Sequence, residues 1–290
     1  MTPRQTLDYC TYDVFTDQAF GGNPLAIVFE ADNLNAAQMQ VIAREFNFSE
    51  TVFFQTPKEA SHTMRLRIFT PTRELPFAGH PTIGAAVALS DLGHGPDLIL
   101  ELGVGALPAK AEQGAASFHA AQPVETLARP DAELVAKTLG LLQTDIAKPP
   151  VMASMGVPFT FTALTSRAAL SNIEIDLTEM RTGNARYPSG RDFSQAAYWR
   201  DDSASNEAGH DVIHLRMFAP LDSIPEDPAT GSAAATLAGL LCADRGAPVS
   251  LTVYQGQDMG RPSVIKAQAS DNGVTISGPA IKMMQGQILV

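Results

Sequence analysis

The sequence predicts an α+β fold built from two related halves, and three observations carry that reading. The phrase running from Leu66 to Gly93 is echoed by the phrase from Leu215 to Leu241. Segments of period two outnumber long segments of period 3.6, which favours curved mixed sheets with a few helices over a regular alternation of strand and helix. A chain of 290 residues with 45% hydrophobic residues is long enough to bury one or two cores without disulfide staples.

In chain order, Thr6 to Phe15 and Leu25 to Phe29 read as strands on either side of the Gly21-Gly22-Asn23-Pro24 corner. Ala36 to Phe46 follows as a helix, and Thr51 to Gln55 as a strand. Alternation from His62 to Phe69 gives another strand, then Ala85 to Leu92 a helix of small side chains. Leu98 to Leu102, Pro108 to Glu112 and Ala115 to His119 are short strands, and Pro123 and Pro130 bracket a crossing. The second half opens with a helix near Asp131 to Leu142, strands at Val151 to Ser154 and Phe159 to Leu164, and a helix at Phe193 to Trp199. The repeat then returns, with a strand at Val212 to Phe218 and a helix at Ala233 to Leu241. Val249 to Tyr254, Ser263 to Ala269 and Val274 to Ile276 close the chain as strands.

The repeat is ordered along its whole length. Leu66-Arg67-x-Phe69-x-Pro71 matches Leu215-Arg216-x-Phe218-x-Pro220, and His80-Pro81-Thr82-Ile83-Gly84 falls on Asp227-Pro228-Ala229-Thr230-Gly231 after a loop that differs by two residues. Each copy reads as strand, sharp loop, helix. Pro81 and Pro228 suit a first helical position, which makes Asp227 an N-cap and places His80 at the equivalent point. Free amides at such helix starts, reinforced by the helix dipole, are expected to attract an anion.

Charge and cysteine content narrow the partners. A net charge of −11 argues against a nucleic-acid partner, because phosphate rewards a concentrated positive surface. Two cysteines, Cys10 and Cys242, make no disulfide framework; no leader pattern opens the chain, so a cytoplasmic, reducing setting is expected. The longest uncharged stretches are shorter than a bilayer span, and no membrane partner is expected. Gly103-Val104-Gly105 begins like a dinucleotide loop but lacks the third glycine and reads as a hairpin turn. His210 and His214 lie four apart in an extended pattern that favours a strand over metal ligation. No cofactor and no metal are expected. Tyr198 and Trp199, near Arg191 and Arg200, are placed to cover an opening or to pack on a helix.

Among the carboxylates, Glu50 stands where a helix ends and the apolar strand Val52-Phe53-Phe54 begins. There it either caps a turn or points into a cleft, where partial desolvation would suit it to general acid/base work. Asp227 is accounted for by capping or by a site role. His80, between Gly79 and Pro81, lines a site if the two corners meet.

Five motifs then take the reading further: Gly21-Gly22-Asn23-Pro24, Asn47-Phe48-Ser49-Glu50-Thr51, Phe77-Ala78-Gly79-His80-Pro81-Thr82-x-Gly84, Pro225-Glu226-Asp227-Pro228-Ala229-Thr230-Gly231-Ser232-Ala233 and Gly260-Arg261-Pro262-Ser263. In this order the chain resembles the phenazine-biosynthesis isomerase (PhzF-like) family, within the diaminopimelate-epimerase-like fold. The resemblance implies two lobes, each a curved mixed sheet or partial barrel around a central helix, related by a pseudo-two-fold, with a cleft between them. The lobes would span 1–121 and 122–278, with 279–290 returning to the first. It implies Glu50 as the catalytic acid/base, with Ser49, Gly79, His80, Asp227, Thr230, Gly231 and Ser232 binding substrate, no cofactor, and a homodimer. The implied activity is cofactor-independent isomerisation of a small carboxylate-bearing, cyclic metabolite, similar to dihydro-hydroxyanthranilate isomerisation. A binding protein without activity, and a lyase or epimerase using Glu50, remain alternatives. Cys10 and Cys242 lie outside the repeated corners, which disfavours epimerisation by paired thiols.

Overall fold

The computed structural model describes residues 6–189, 192–206 and 210–290. The chain forms two compact units, Met1–His119 with Ser277–Val290, and Ala120–Ile276. Each is a mixed sheet wrapped on a helix, so the architecture is the expected two-lobed α+β fold.

The first unit contains β1 (Thr6–Val14), β2 (Asn23–Val28), α1 (Ala36–Phe46), β3 (Glu50–Gln55), β4 (Met64–Phe69), β5 (Glu74–Leu75), α2 (Gly79–Asp91), β6 (Asp97–Leu102), β7 (Gly105–Glu112) and β8 (Ala115–Ala120). Helix α1 has the expected bounds because both ends carry local signals. Asn35 and Gln38 form a reciprocal capping box, and Asn47 closes the helix in the left-handed conformation at φ 52°. Helix α2 is different: residues 79–89 are all buried, so it is apolar all round and sits inside the curve of β1, β2, β3 and β7. Gly84 is needed there, since a Cβ would lie 2.5 Å from Leu25 and 2.7 Å from Val14.

The second unit contains β9 (Glu125–Ala128), α3 (Ala132–Thr138), β10 (Val151–Ser154), β11 (Pro158–Ala163), α4 (Arg167–Ser171), α5 (Leu177–Arg186), β12 (Gln195–Asp201), β13 (His210–Ala219), β14 (Ile224–Asp227), α6 (Gly231–Arg245), β15 (Val249–Gln255), β16 (Ser263–Ser270) and the start of β17 (Gly273–Leu289). Here α6 takes the inner position, against β15 and β16.

Strand register extends the repeat well beyond the phrase visible in the sequence. In the first unit β2 runs parallel to β3, β3 antiparallel to β4, β4 parallel to β6, and β6 antiparallel to β7. The second unit repeats each relation with β11, β12, β13, β15 and β16. Thr51 lies opposite Phe69 and Gln195 opposite Phe218, so Ser194 stands where Glu50 stands in the first copy. The last part of β17 pairs with β1, from Val14 opposite Ala280 to Thr6 opposite Leu289.

Both copies brace their corner with the same device. Arg67 donates both guanidinium branches to Glu74 at 2.7 Å and lies over the Phe69 ring; Arg216 does so to Glu226 at 2.8 Å and lies over Phe218. A planar fork suits this paired geometry, which ties β4 to β5 and β13 to β14.

Several expectations need correction. The segment read as a helix from Phe193 to Trp199 contains the start of β12, because Gln195–Asp201 is claimed on one edge by β11 and on the other by β13. Its Ala-Ala pair suggested a helix, but two ladders outweigh a propensity difference of tenths of a kcal/mol per residue. The helix near Asp131 is shorter than expected and stops at Thr138. The Trp199 ring packs on His214 at 5.5 Å, which stacks on Tyr254 at 5.4 Å, so its neighbours are strand side chains rather than a helix. Arg191, its suggested neighbour, lies outside the described residues. Among the described residues, no helix is long and apolar enough to cross a membrane.

Candidate active site

In the first unit, β3 begins at Glu50 and α2 begins at Gly79, and these two starts bring Glu50 and His80 together. His80 Nδ1 lies 3.3 Å from Glu50 Oε2, with the side chains 5% and 13% exposed. Ser49 donates its hydroxyl to Asn23 Oδ1 at 2.9 Å, so the residue beside Glu50 is held by the Gly-Gly-Asn-Pro corner. That corner is sterically fixed: Gly22 has φ 58°, and a Cβ there would sit 2.3 Å from the Val14 carbonyl oxygen.

His80 is a neutral imidazole. Burial pushes its pKa down to about 3, and a hydrogen bond with the Pro24 backbone opposes this only in part. The contact with Glu50 is therefore a close approach of a carboxyl group to an uncharged ring rather than an ion pair. Nε2 is buried with no hydrogen-bond partner.

His80 is not the residue before the helix. Helix α2 starts at Gly79, two residues before the expected Pro81, with Ala78 as its N-cap, and Thr82 returns both its amide and its hydroxyl to the Ala78 carbonyl, at 3.3 and 2.7 Å. Because Pro81 has no N–H, the amides of Gly79 and His80 are the ones this helix start leaves without an intrahelical acceptor.

The corner of the second unit is built otherwise. Asp227 ends β14, Thr230 is the N-cap, and α6 starts at Gly231, so neither the expected cap at Asp227 nor the helical start at Pro228 holds. The reason is a buried polar knot. Thr230 donates its hydroxyl to Asp227 Oδ2 at 2.6 Å and its amide to Gln255 Oε1 at 2.9 Å. Gln255 Nε2 donates to the Asp227 carbonyl at 2.7 Å and reaches the Thr230 hydroxyl oxygen at 2.9 Å. Asp227 thus braces the loop, and the helix begins three residues after the expected point. Gly231 and Ser232 occupy its first turn, where amides lack intrahelical acceptors.

Gln255 and Ser263 were missed as site-building residues. Ser263 donates its hydroxyl to the Pro228 carbonyl at 2.7 Å and to the Gln255 carbonyl at 3.0 Å. The Gly260-Arg261-Pro262-Ser263 motif carried a signal for the serine, while Gln255 looked like the last residue of an ordinary strand.

Comparison with known proteins matches residues 12–286 to the model of the phenazine biosynthesis-like protein family. An uncharacterised isomerase of Mesorhizobium japonicum is 34% identical over 99% of this chain and 100% of that protein. The trans-2,3-dihydro-3-hydroxyanthranilate isomerase of Pseudomonas chlororaphis is 36% identical over 97% of this chain and 99% of its own length. Among solved structures, the Bacillus anthracis phenazine biosynthesis protein of the PhzF family superposes with a TM-score of 0.85, at 24% identity, covering 99% of this chain and 100% of that one.

Proposed function

The chain belongs to the phenazine biosynthesis-like family, and on that premise we propose that it is a cofactor-independent isomerase moving a proton within a small, cyclic, carboxylate-bearing metabolite. The observation that carries this reading is the Glu50 carboxylate held 3.3 Å from a buried, neutral His80. Glu50 removes a proton from one carbon of the substrate, the electron pair shifts along the conjugated system, and the same carboxyl returns a proton at another carbon. Nothing is gained or lost, so substrate and product have equal mass. A neutral His80 serves this step better than a charged one, because it orients the carboxylate without trapping it as an ion pair.

Ser49, Gly79 and His80 bind substrate beside Glu50; in the second unit, Gly231 and Ser232 are the substrate-binding residues that the family resemblance implies, with Asp227 and Thr230 shaping their loop. The amides at the start of α2 stabilise the substrate carboxylate as negative charge spreads from it. Two buried free thiols, Cys10 and Cys242, support a reducing, cytoplasmic setting. The family resemblance supports a homodimer, which light scattering checks directly.

The test is turnover of trans-2,3-dihydro-3-hydroxyanthranilate and a panel of related cyclic carboxylates in deuterated water. A product of unchanged skeleton that has gained deuterium at one carbon supports the reading. A product lighter by an expelled group assigns a lyase instead, and absence of exchange with every member overturns the proposal.

A further inference from the structure

The first unit also holds a cavity of about 900 Å³ at the far end of α2. Leu92, the residue that closes α2, lines it. From His80 to Leu92 the helix rises about 18 Å at 1.5 Å per residue, so the cavity is separate from the Glu50 and His80 pair. Its volume lies in the range of pockets that enclose a whole small molecule.

The lining has two characters. Phe29 and Phe54 meet edge to face at 5.6 Å, and with Met64 and Leu92 they offer an apolar wall. Cys10 lies beneath, its thiol pushed up to about 12 by burial, so it contributes no charge. The rim is acidic: Asp8, Glu30 and Asp32 face a single cation, Lys282. Lys282 already donates to Gln285 at 2.7 Å. Asp8 accepts from Gln287, and Asp32 accepts from the amide and hydroxyl of Thr56. Glu30 differs. The left-handed turn at φ 49° places it at the N-cap of a short 3-10 turn, yet its side chain makes no capping bond. The last turn of α2 adds the negative end of the helix dipole, with Asp91 in it and no basic residue.

We propose that this cavity binds a small organic cation, an amine carried on an aromatic or aliphatic body, with the ammonium at Glu30 and Asp8 and the body against Phe29, Phe54 and Leu92. Charge complementarity selects this occupant over a second copy of the chain. A symmetric contact would set the acidic rim against itself. The inference does not depend on the proposed isomerase activity, because its residues are not those assigned to the reaction.

The experiment titrates the full chain with 2-phenylethylammonium, and with 3-phenylpropanol and 3-phenylpropionate as neutral and anionic partners of similar shape, followed by ligand-observed NMR. Saturable binding is expected for the cation, several-fold weaker binding for the alcohol, and none for the carboxylate. Added salt should weaken the cation and leave the alcohol unchanged. Glu30→Gln should weaken the cation about 1.5-fold to fivefold, the range set by one exposed charge contact. Leu92→Trp, at a 57% exposed position that folding tolerates, should abolish binding by filling the wall. Turnover by the same variants should be unchanged, so failure here is distinguishable from failure of the isomerase reading. Equal binding of all three probes, cation binding that survives Leu92→Trp, or no saturable binding of the cation would overturn the proposal, and a change in mass by sedimentation in either variant would assign the face to self-association instead.

Discussion

The two repeated corners share a chain path and differ in what their polar groups are occupied with. In the first unit, Glu50 and His80 touch each other, and His80 keeps a buried nitrogen with no partner. In the second, Thr230 and Gln255 close a knot of four hydrogen bonds around Asp227. A buried polar atom without a partner costs stability, whereas a satisfied network rigidifies its loop. The difference teaches that two copies of one chain path can settle their polar groups differently, one leaving a buried nitrogen open and the other closing a network. Ser194, at the second copy's equivalent of Glu50, fits this division: its hydroxyl donates to Asp192, a local structural bond.

The largest effect should come from Glu50→Gln. The amide keeps the size but cannot take and return a proton, so turnover should fall at least about 100-fold while the thermal midpoint barely changes. Near-normal exchange in a folded Glu50→Gln protein would erase the proposed contrast between the corners.

Gln255→Leu tests the other side of the comparison. It strands the Thr230 amide and the Asp227 carbonyl in a buried site, and a loss of about 2–4 kcal/mol is expected in urea unfolding. A loss under about 1 kcal/mol would mean that the knot is not a brace.

His80 makes a pH prediction with a definite sign. Its folded pKa of about 3 lies below the ordinary histidine value of 6.5, so between these values the unfolded chain binds the extra proton and stability falls as the pH falls. The slope attributable to His80 reaches about 1.4 kcal/mol per pH unit. His80→Asn should flatten unfolding free energy against pH in that window; an unchanged slope would show that the ring is not held neutral.

The smallest effect separates the two arginine clamps. Arg216 and Glu226 are 12% and 16% exposed, and Arg216 also donates to the carbonyls of Leu170 and Ser171, whereas Glu74 is 41% exposed. Arg216→Lys should therefore cost about 1–3 kcal/mol and Arg67→Lys about 0.5 kcal/mol, since solvent screens the more open pair. Equal losses would indicate that the clamps act through their aromatic stacking rather than through the carboxylate.

Local chemistry and pattern were enough for much of this protein. The α+β class, the span of α1, the strand-loop-helix repeat and the place of His80 at its first corner follow from periodicity and turn residues, which act within a few positions, while Ser49, Glu50 and Gly79 entered as site residues through the family resemblance. Contacts between distant segments decided the rest. Residues 195–199 became strand because two ladders claimed them, and α6 began after Thr230 because Gln255, 25 residues away, took its amide. His80 is neutral because the folded chain buries it, and no property of the ring in sequence fixes that. Burial and long-range hydrogen bonding are sums over neighbours that only the folded chain brings within reach, and these sums set the protonation state of His80 and the brace around Asp227.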